Sequence, residues 1–307
     1  MNLRKILTET RNPNTVNIDR QSSLGIVELI NQEDHKVAAA IQEILPDIAK
    51  AVDSIVSALQ SGGRLFYLGA GTSGRIGILD ASECPPTYGT DPGLVLGLIA
   101  GGEPAILRAV EGAEDSCTMA ANDLQAKQLN SSDILIGIAA SGRTPYVIGG
   151  LEYAKSIGCQ TVSLTCTPDS QMSNIAHLSL TVLTGPEVIT GSTRMKAGTA
   201  QKMVLNMLTT ATMIRLGKVY SNLMVDVQAT NLKLKERSRF IVTLATGVTS
   251  DQADMALAKA KGSVKLAIVM LLADLTADKA SQLLEQANGF TSEALALHDA
   301  LSAAKSN

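Results

Sequence analysis

The sequence predicts an α/β protein: a doubly wound, five-stranded parallel sheet with N-terminal helices before it and a small all-helical appendage after it. Three observations carry this. Apolar runs at about 64–68, 94–99, 133–138, 160–165 and 178–183 alternate with helical patterns, as βαβ crossovers do. Two of the runs end in small residues and pass through the same triplet, Ser73-Gly74-Arg75 and Ser141-Gly142-Arg143, into a helix. Beyond Met224 the strand signal disappears, and residues 232–303 show only short amphipathic helices.

In chain order, residues 1–22 are polar, lack periodicity and read as an arm. From Ser23 to Leu59 apolar residues recur at threes and fours, giving two helices with a break near Gln32-Glu33-Asp34. After Gly62-Gly63 the strands alternate with helices at about 74–81, 104–112, 118–129 and 145–157, and a long helix follows at about 197–216. Pro85-Pro86 should end the first of these. Breaks at Gly247, Gly262 and Thr276 divide the tail. The predicted organisation is an arm with helices over 1–50, a ligand-binding α/β domain over 51–220 and a helical domain over 225–307.

A hydrophobic content of 45% and a net charge of −3 describe a soluble chain without a nucleic-acid footprint, and no basic run contradicts that. The longest apolar stretch, Leu266 to Ala273, is far shorter than the roughly 20 residues of a membrane span. Four cysteines without CxxC spacing and an N-terminus without a signal-peptide apolar region point to the cytoplasm. His35, His177 and His298 are far apart and form no metal-binding pair, so acid–base chemistry should fall to carboxylates.

Both Ser-Gly-Arg loops present hydroxyls and backbone N–H groups at a helix N-terminus, where the dipole favours an anion. Two on one sheet edge imply an oxyanion held from two sides, such as a sugar phosphate. Gly69-Ala70-Gly71-Thr72-Ser73-Gly74 also matches the dinucleotide fingerprint G-x-G-x-x-G, a rival reading. That fingerprint expects an acidic residue closing the second strand, but Ile99 is followed by Ala100-Gly101-Gly102. The glycines are therefore assigned to close backbone approach to a phosphate or sugar.

RLFYLGAGTSGRIGILDASECPPT (64–87) resembles the first crossover of the sugar-isomerase (SIS) domain family, and IGIAASGRTPYV (136–147) resembles its second phosphate loop. GPEVITGSTRMKAGTAQK (185–202) resembles a signature shared by the N-acetylmuramic acid 6-phosphate etherases and the glucokinase regulatory protein. TETRNPNT (8–15), INQEDHKV (30–37) and GSVKLAIVMLL (262–272) are also similar to the etherases. The resemblance implies an SIS-type αβα sandwich, a homodimer with the site near its subunit interface, and a lyase without metal or organic cofactor. Its substrate would be a 6-phosphorylated amino sugar whose C3 lactyl ether is cleaved by elimination and then hydration.

By the same resemblance, Glu83 aligns with the general acid that protonates the departing lactate, and Glu114 with the base for the C2 proton. An acid of this kind must hold its proton near neutral pH, which burial or a neighbouring anion would favour. Without the resemblance, a Glu before Pro-Pro is a helix-end surface residue, and Glu111-Gly112-Ala113-Glu114-Asp115 is a solvated face, with Glu111 and Asp115 as stand-ins. Thr72, Ser73, Ser141 and Thr144 are the candidate phosphate and sugar ligands, with helix capping as their alternative role. Many relatives carry Ser where this chain has Ala139, so one phosphate contact that the resemblance implies is not carried over to this chain. Arg75 and Arg143 add charge or pair with acids. Ser192, Arg194 and Lys196 are candidates to hold the lactyl carboxylate or close the site; packing is the alternative, and Glu187 has no assigned role. Two other functions share the loops: a non-catalytic sugar-phosphate sensor, whose relative has two SIS domains, and a sugar-phosphate isomerase, which would lack the 185–202 run.

Overall fold

The computed structural model describes residues 7–228 and 232–306; the first six residues of the predicted arm lie outside it. Two compact units are present, one of residues 1–82 and 92–209, the other of residues 83–91 and 210–307.

In the first unit, the helices α1 (Ser23–Gln42) and α2 (Leu45–Gln60) lead into the sheet. The expected break at 32–34 does not occur. Gln and Glu are good helix formers, Glu33 is turned inward, and the chain breaks instead at Glu43-Ile44, where Pro46 opens α2. The strands β1 (Leu65–Gly69), β2 (Val95–Ile99), β3 (Ile134–Ile138), β4 (Gln160–Thr165) and β5 (Leu178–Thr181) form one parallel sheet in the order β2-β1-β3-β4-β5. All their C-terminal ends therefore share one edge, which is where open α/β sheets bind ligands. β1 and β3 are buried throughout, as strands covered on both faces must be.

Between β1 and β2, α3 (Gly71–Tyr88) runs through Pro85-Pro86 rather than stopping at them. Each proline gives up one helical hydrogen bond, but the ladder resumes with Gly89 N–H to the Pro85 carbonyl (2.9 Å) and ends at Gly89 with φ +61°. The helix predicted over 104–112 is only α4 (Pro104–Leu107), because Arg108 turns extended and Gly112 adopts φ +73°. Two further helices, α5 (Cys117–Ala126) and α6 (Pro145–Ser156), cover one sheet face around Phe66, Leu68 and Leu135. On the other face Gly77 of α3 lies against Tyr67, whose hydroxyl donates to buried Asp80 at 2.9 Å. α7 (Gln171–Ile175) joins α5 and α6, its Met172 buried in their cluster, whereas the long α8 (Lys196–Arg215) lies with α3. Asn206 and Thr209 of α8 donate to Asp80 at 2.7 and 3.2 Å.

The arm is not a loose extension. Its Thr8, Asn12 and Thr15 are buried; Asn12 Nδ2 donates to the Pro186 carbonyl (3.2 Å) and Thr15 Oγ1 to that of Val188 (2.8 Å). Hydrogen-bonding polar residues anchor it, so no apolar period marks it in the sequence.

α5 and α6 meet at Gly149, where a Cβ would overlap the Cys117 carbonyl oxygen. Gly→Ala inside a helix ordinarily stabilises by about 1 kcal/mol. Here overpacking against backbone should reverse the sign, and Gly149→Ala is expected to destabilise by about 1–3 kcal/mol in urea unfolding.

The second unit contains a two-residue hairpin, β6 (Val219–Tyr220) with β7 (Leu223–Met224), too short to leave a period in the sequence. Its five C-terminal helices are α9 (Leu232–Thr246), α10 (Ser250–Lys259), α11 (Val264–Leu272), α12 (Ala277–Gln286) and α13 (Thr291–Ser306). They break near Gly247, Gly262 and Thr276 as read, and once more at Asn288-Gly289. Buried α11, around Ala267, Ile268 and Val269, is the centre of this unit's own core. Among the described residues no helix is long and apolar enough to cross a membrane.

Candidate active site

At the C-terminal edge of the sheet lies a cleft of about 420 Å³, lined wholly by residues of the first unit. The β1–α3 turn forms one wall. Gly69 and Gly74 touch there: a Cβ on Gly69 would sit 2.6 Å from the Gly74 nitrogen, and one on Gly74 would meet Ile99 at 2.6 Å. Gly71 opens α3 with φ +51°. All three fingerprint glycines thus have a packing or turn reason. The first helical hydrogen bond here runs from Gly74 N–H to the Ala70 carbonyl (3.2 Å), leaving the N–H groups of Gly71, Thr72 and Ser73 without helical acceptors.

A second wall is the β3–α6 loop, Ala139 to Pro145. Gly142 holds φ +63°, and a Cβ there would overlap Ser170. Thr144 is the N-cap residue of α6, yet its side chain makes no capping bond, so its hydroxyl is available to a ligand. Ser141 Oγ makes only a long contact with Arg143 N–H (3.4 Å). Ser73 is placed differently: its hydroxyl donates to Gln201 Oε1 of α8 at 2.9 Å, which leaves its backbone N–H as its donor to an anion.

Four of the candidate ligands, Thr72, Ser73, Ser141 and Thr144, line this one cleft together with Glu114. Asp115 lines it too, whereas Glu111 does not, so two carboxylates of that run remain at the site. Ser192 and Arg194 are not among its lining residues; Thr193 between them is. Ser192 closes the turn through its N–H to the Ile189 carbonyl (2.9 Å), and Arg194 is exposed. Glu83 is exposed on α3 and belongs to the second unit.

Two charged residues of the 185–202 run, Glu187 and Lys196, serve the fold. Glu187, fully buried, accepts the N–H groups of Lys196 and Ala197 at 3.0 Å each, capping α8. Burial pushes its carboxyl above the usual range, against those two bonds. Lys196 is buried, and its Nζ pairs with Glu33 Oε2 at 2.7 Å. Glu33 also accepts from Lys36 (2.6 Å) and Asn14 (2.9 Å), joining α1, the arm and α8 at one point. Lys196 is therefore committed within the fold. Arg75 is likewise engaged, donating to the Ala105 and Ile106 carbonyls at 2.8 Å each and so capping α4. Arg143 is the one cationic side chain among the described residues lining the cleft.

Known proteins are similar to this chain over nearly its whole length. Residues 47–155 match the family described as glucokinase regulatory protein N-terminal SIS domain, and residues 118–211 match the SIS domain. A protein named N-acetylmuramic acid 6-phosphate etherase from Photorhabdus laumondii is 58% identical over 94% of this chain and 96% of its own. Relatives of the same name from Caldanaerobacter subterraneus and Aliivibrio fischeri are 55% and 57% identical, over 97% and 96% of this chain and 98% of each relative. The chain belongs to the N-acetylmuramic acid 6-phosphate etherase family. A solved phosphoheptose isomerase from Neisseria gonorrhoeae is more remotely similar, with 16% identity and a TM-score of 0.49 over 62% of this chain and 98% of that one.

Within this etherase-family chain, sequence reasoning missed one residue of the cleft outright. Glu9 lines it, carried there by the arm. Only its place in the TETRNPNT run marked it, since an aperiodic polar segment says nothing about where its side chains go. Among the described residues no group of three or more His, Cys, Asp or Glu side chains is arranged to hold a metal.

Proposed function

We propose that this chain is a carbon–oxygen lyase cleaving the C3 lactyl ether of N-acetylmuramic acid 6-phosphate, giving N-acetylglucosamine 6-phosphate and D-lactate in cell-wall amino-sugar recycling. The observation that carries this reading is similarity above half identity, over nearly full length, to relatives bearing the etherase name. The cleft supports it chemically: two anion-binding loops flank a carboxylate.

In this reading Thr72, Ser141 and Thr144 hold the 6-phosphate through hydroxyls, Ser73 through its N–H, and Arg143 adds charge. Glu114 takes the proton from C2 of the ring-opened aldehyde as the C3–O bond breaks. Glu83 gives its proton to the departing lactate oxygen. Water then adds at C3 of the α,β-unsaturated aldehyde while C2 regains a proton. Ser192 and Arg194, which flank the lining residue Thr193 without lining the cleft themselves, are the candidates to reach the lactyl carboxylate.

Glu83 is exposed on the single chain, and the resemblance to the etherases implies a site near a subunit interface. We therefore assign the working form to a cytoplasmic homodimer whose interface covers Glu83. Exposed Leu107 and Val110 are apolar surface of the kind such an interface covers.

The test is D-lactate release from N-acetylmuramic acid 6-phosphate in ¹⁸O-labelled water. Label at C3 of the amino sugar is expected. Label in lactate would overturn the mechanism, and binding without release would make the protein a sensor.

A further inference from the structure

The arm raises a question that the proposed chemistry leaves open: why a polar segment is fastened by buried hydrogen bonds beside the cleft. Asn12, Asn14 and Thr15 tie it to Pro186, Glu33 and Val188. The outcome is that Glu9 is set into the lining beside Thr193 and the β1–α3 turn. Its carboxylate lies over Gly191, where a Cβ would come 2.9 Å from Glu9 Oε2, and Gly191 is held at φ +77°. Glycine at 191 thus leaves the room that the carboxylate occupies.

We propose that Glu9 is a third substrate-contacting carboxylate, which orients the sugar by accepting hydrogen bonds from its neutral O–H or N–H donors. This rests on the sugar-phosphate reading of the cleft. An ionised carboxylate only accepts hydrogen bonds. Like charge keeps it from the phosphate and the lactyl group, leaving the hydroxyl and acetamido groups as its partners. Those are the features that distinguish a sugar phosphate from free phosphate, so Glu9 is a specificity residue as well as a positioning one.

The experiment is calorimetric binding of N-acetylglucosamine 6-phosphate and, separately, inorganic phosphate to the intact protein and to Glu9→Gln, Glu9→Ala and Gly191→Ala. A hydrogen bond to a charged group predicts an approximately 10- to 100-fold loss of sugar-phosphate affinity in Glu9→Ala, and a smaller one in Glu9→Gln. Gly191→Ala, which displaces the carboxylate while keeping it in the chain, should resemble Glu9→Ala. Phosphate affinity should stay within about twofold of the parent, well under the tenfold that 1.4 kcal/mol represents. Equal loss of both ligands would show that the arm only supports the loops, and unchanged sugar-phosphate binding would remove Glu9 from the site; either overturns the proposal. If the unaltered protein fails to bind N-acetylglucosamine 6-phosphate, it is the sugar-phosphate reading that fails. Because near-isosteric Glu9→Gln preserves the packing, it decides the matter if Glu9→Ala melts early.

Discussion

Glu83→Ala is expected to lower D-lactate release by about 10²–10⁴-fold, the usual worth of a positioned proton donor, while leaving exchange of the C2 proton of N-acetylglucosamine 6-phosphate with D₂O in place. The two readouts separate because exchange needs only a base that removes the C2 proton and returns one from solvent. Lactate departure needs in addition a proton delivered to a poor leaving group. Glu114→Ala should therefore remove both activities. Loss of exchange in Glu83→Ala would mean that the roles are wrongly divided. The cleft also narrows the base to two neighbours, since Asp115 lines it with Glu114 and Glu111 does not. Asp115→Asn is expected to retain exchange; if it alone abolishes exchange, Asp115 is the base. NMR in D₂O reads exchange, and a coupled lactate assay reads cleavage.

Lys196→Met should cost about 3 kcal/mol of stability in urea unfolding, because removing one partner of a buried pair strands the other. Lys196 is 1% exposed and Glu33 3%. Lys36 and Asn14 continue to serve Glu33, which keeps the loss at the lower end of that range. The double variant Lys196→Met/Glu33→Leu should recover most of it, since apolar side chains can replace a buried pair at little net cost. The pair also sets a pH dependence. Burial alone pushes Glu33 up, but hydrogen bonds from Lys196, Lys36, Asn14 and Asn12 outweigh it and hold the carboxyl at about 2, against an ordinary 4.5. Below pH 4.5 the unfolded chain binds the additional proton, so this stabilisation is complete above about pH 4.5 and is lost as pH falls toward 2. Burial raises Asp80 and Glu187, which act in the opposite sense. They are common to both proteins, so the difference between parent and Glu33→Gln isolates Glu33. A parent and Glu33→Gln that lose stability in parallel between pH 5 and 2 would contradict this account.

Much of the unit carrying the cleft was legible because its elements repeat a local signal. The five strands are short apolar runs, and their observed limits lie within about two residues of the predicted ones. The two Ser-Gly-Arg loops marked the sheet edge where the cleft lies, because a strand–loop–helix turn with free N–H groups is a local construction. What went unread depended on partners distant in sequence. α1 continues through Gln32-Glu33-Asp34 because Glu33 meets Lys196, 163 positions away. Lys196, open in the sequence between a ligand role and packing, pairs with buried Glu33, while Ser73 spends its hydroxyl on Gln201. Pro85-Pro86 reads as a stop, yet the hydrogen bonds on either side carry α3 past it.

The sequence by itself determined the class of fold, the order of strands and helices, the two Ser-Gly-Arg loops and, through its similarity to the etherases, the family. Each rests on residues adjacent in the chain or on a pattern spread along its whole length. Only the tertiary structure decided which of those residues share a cleft: Thr72, Ser73, Ser141 and Thr144 with Glu114 and Asp115, joined by Glu9 from an arm without periodicity. The reason is physical. Hydrogen bonds and buried charges between distant segments leave no period in the sequence, and they alone determine which polar side chains are spent on the fold and which remain for a ligand.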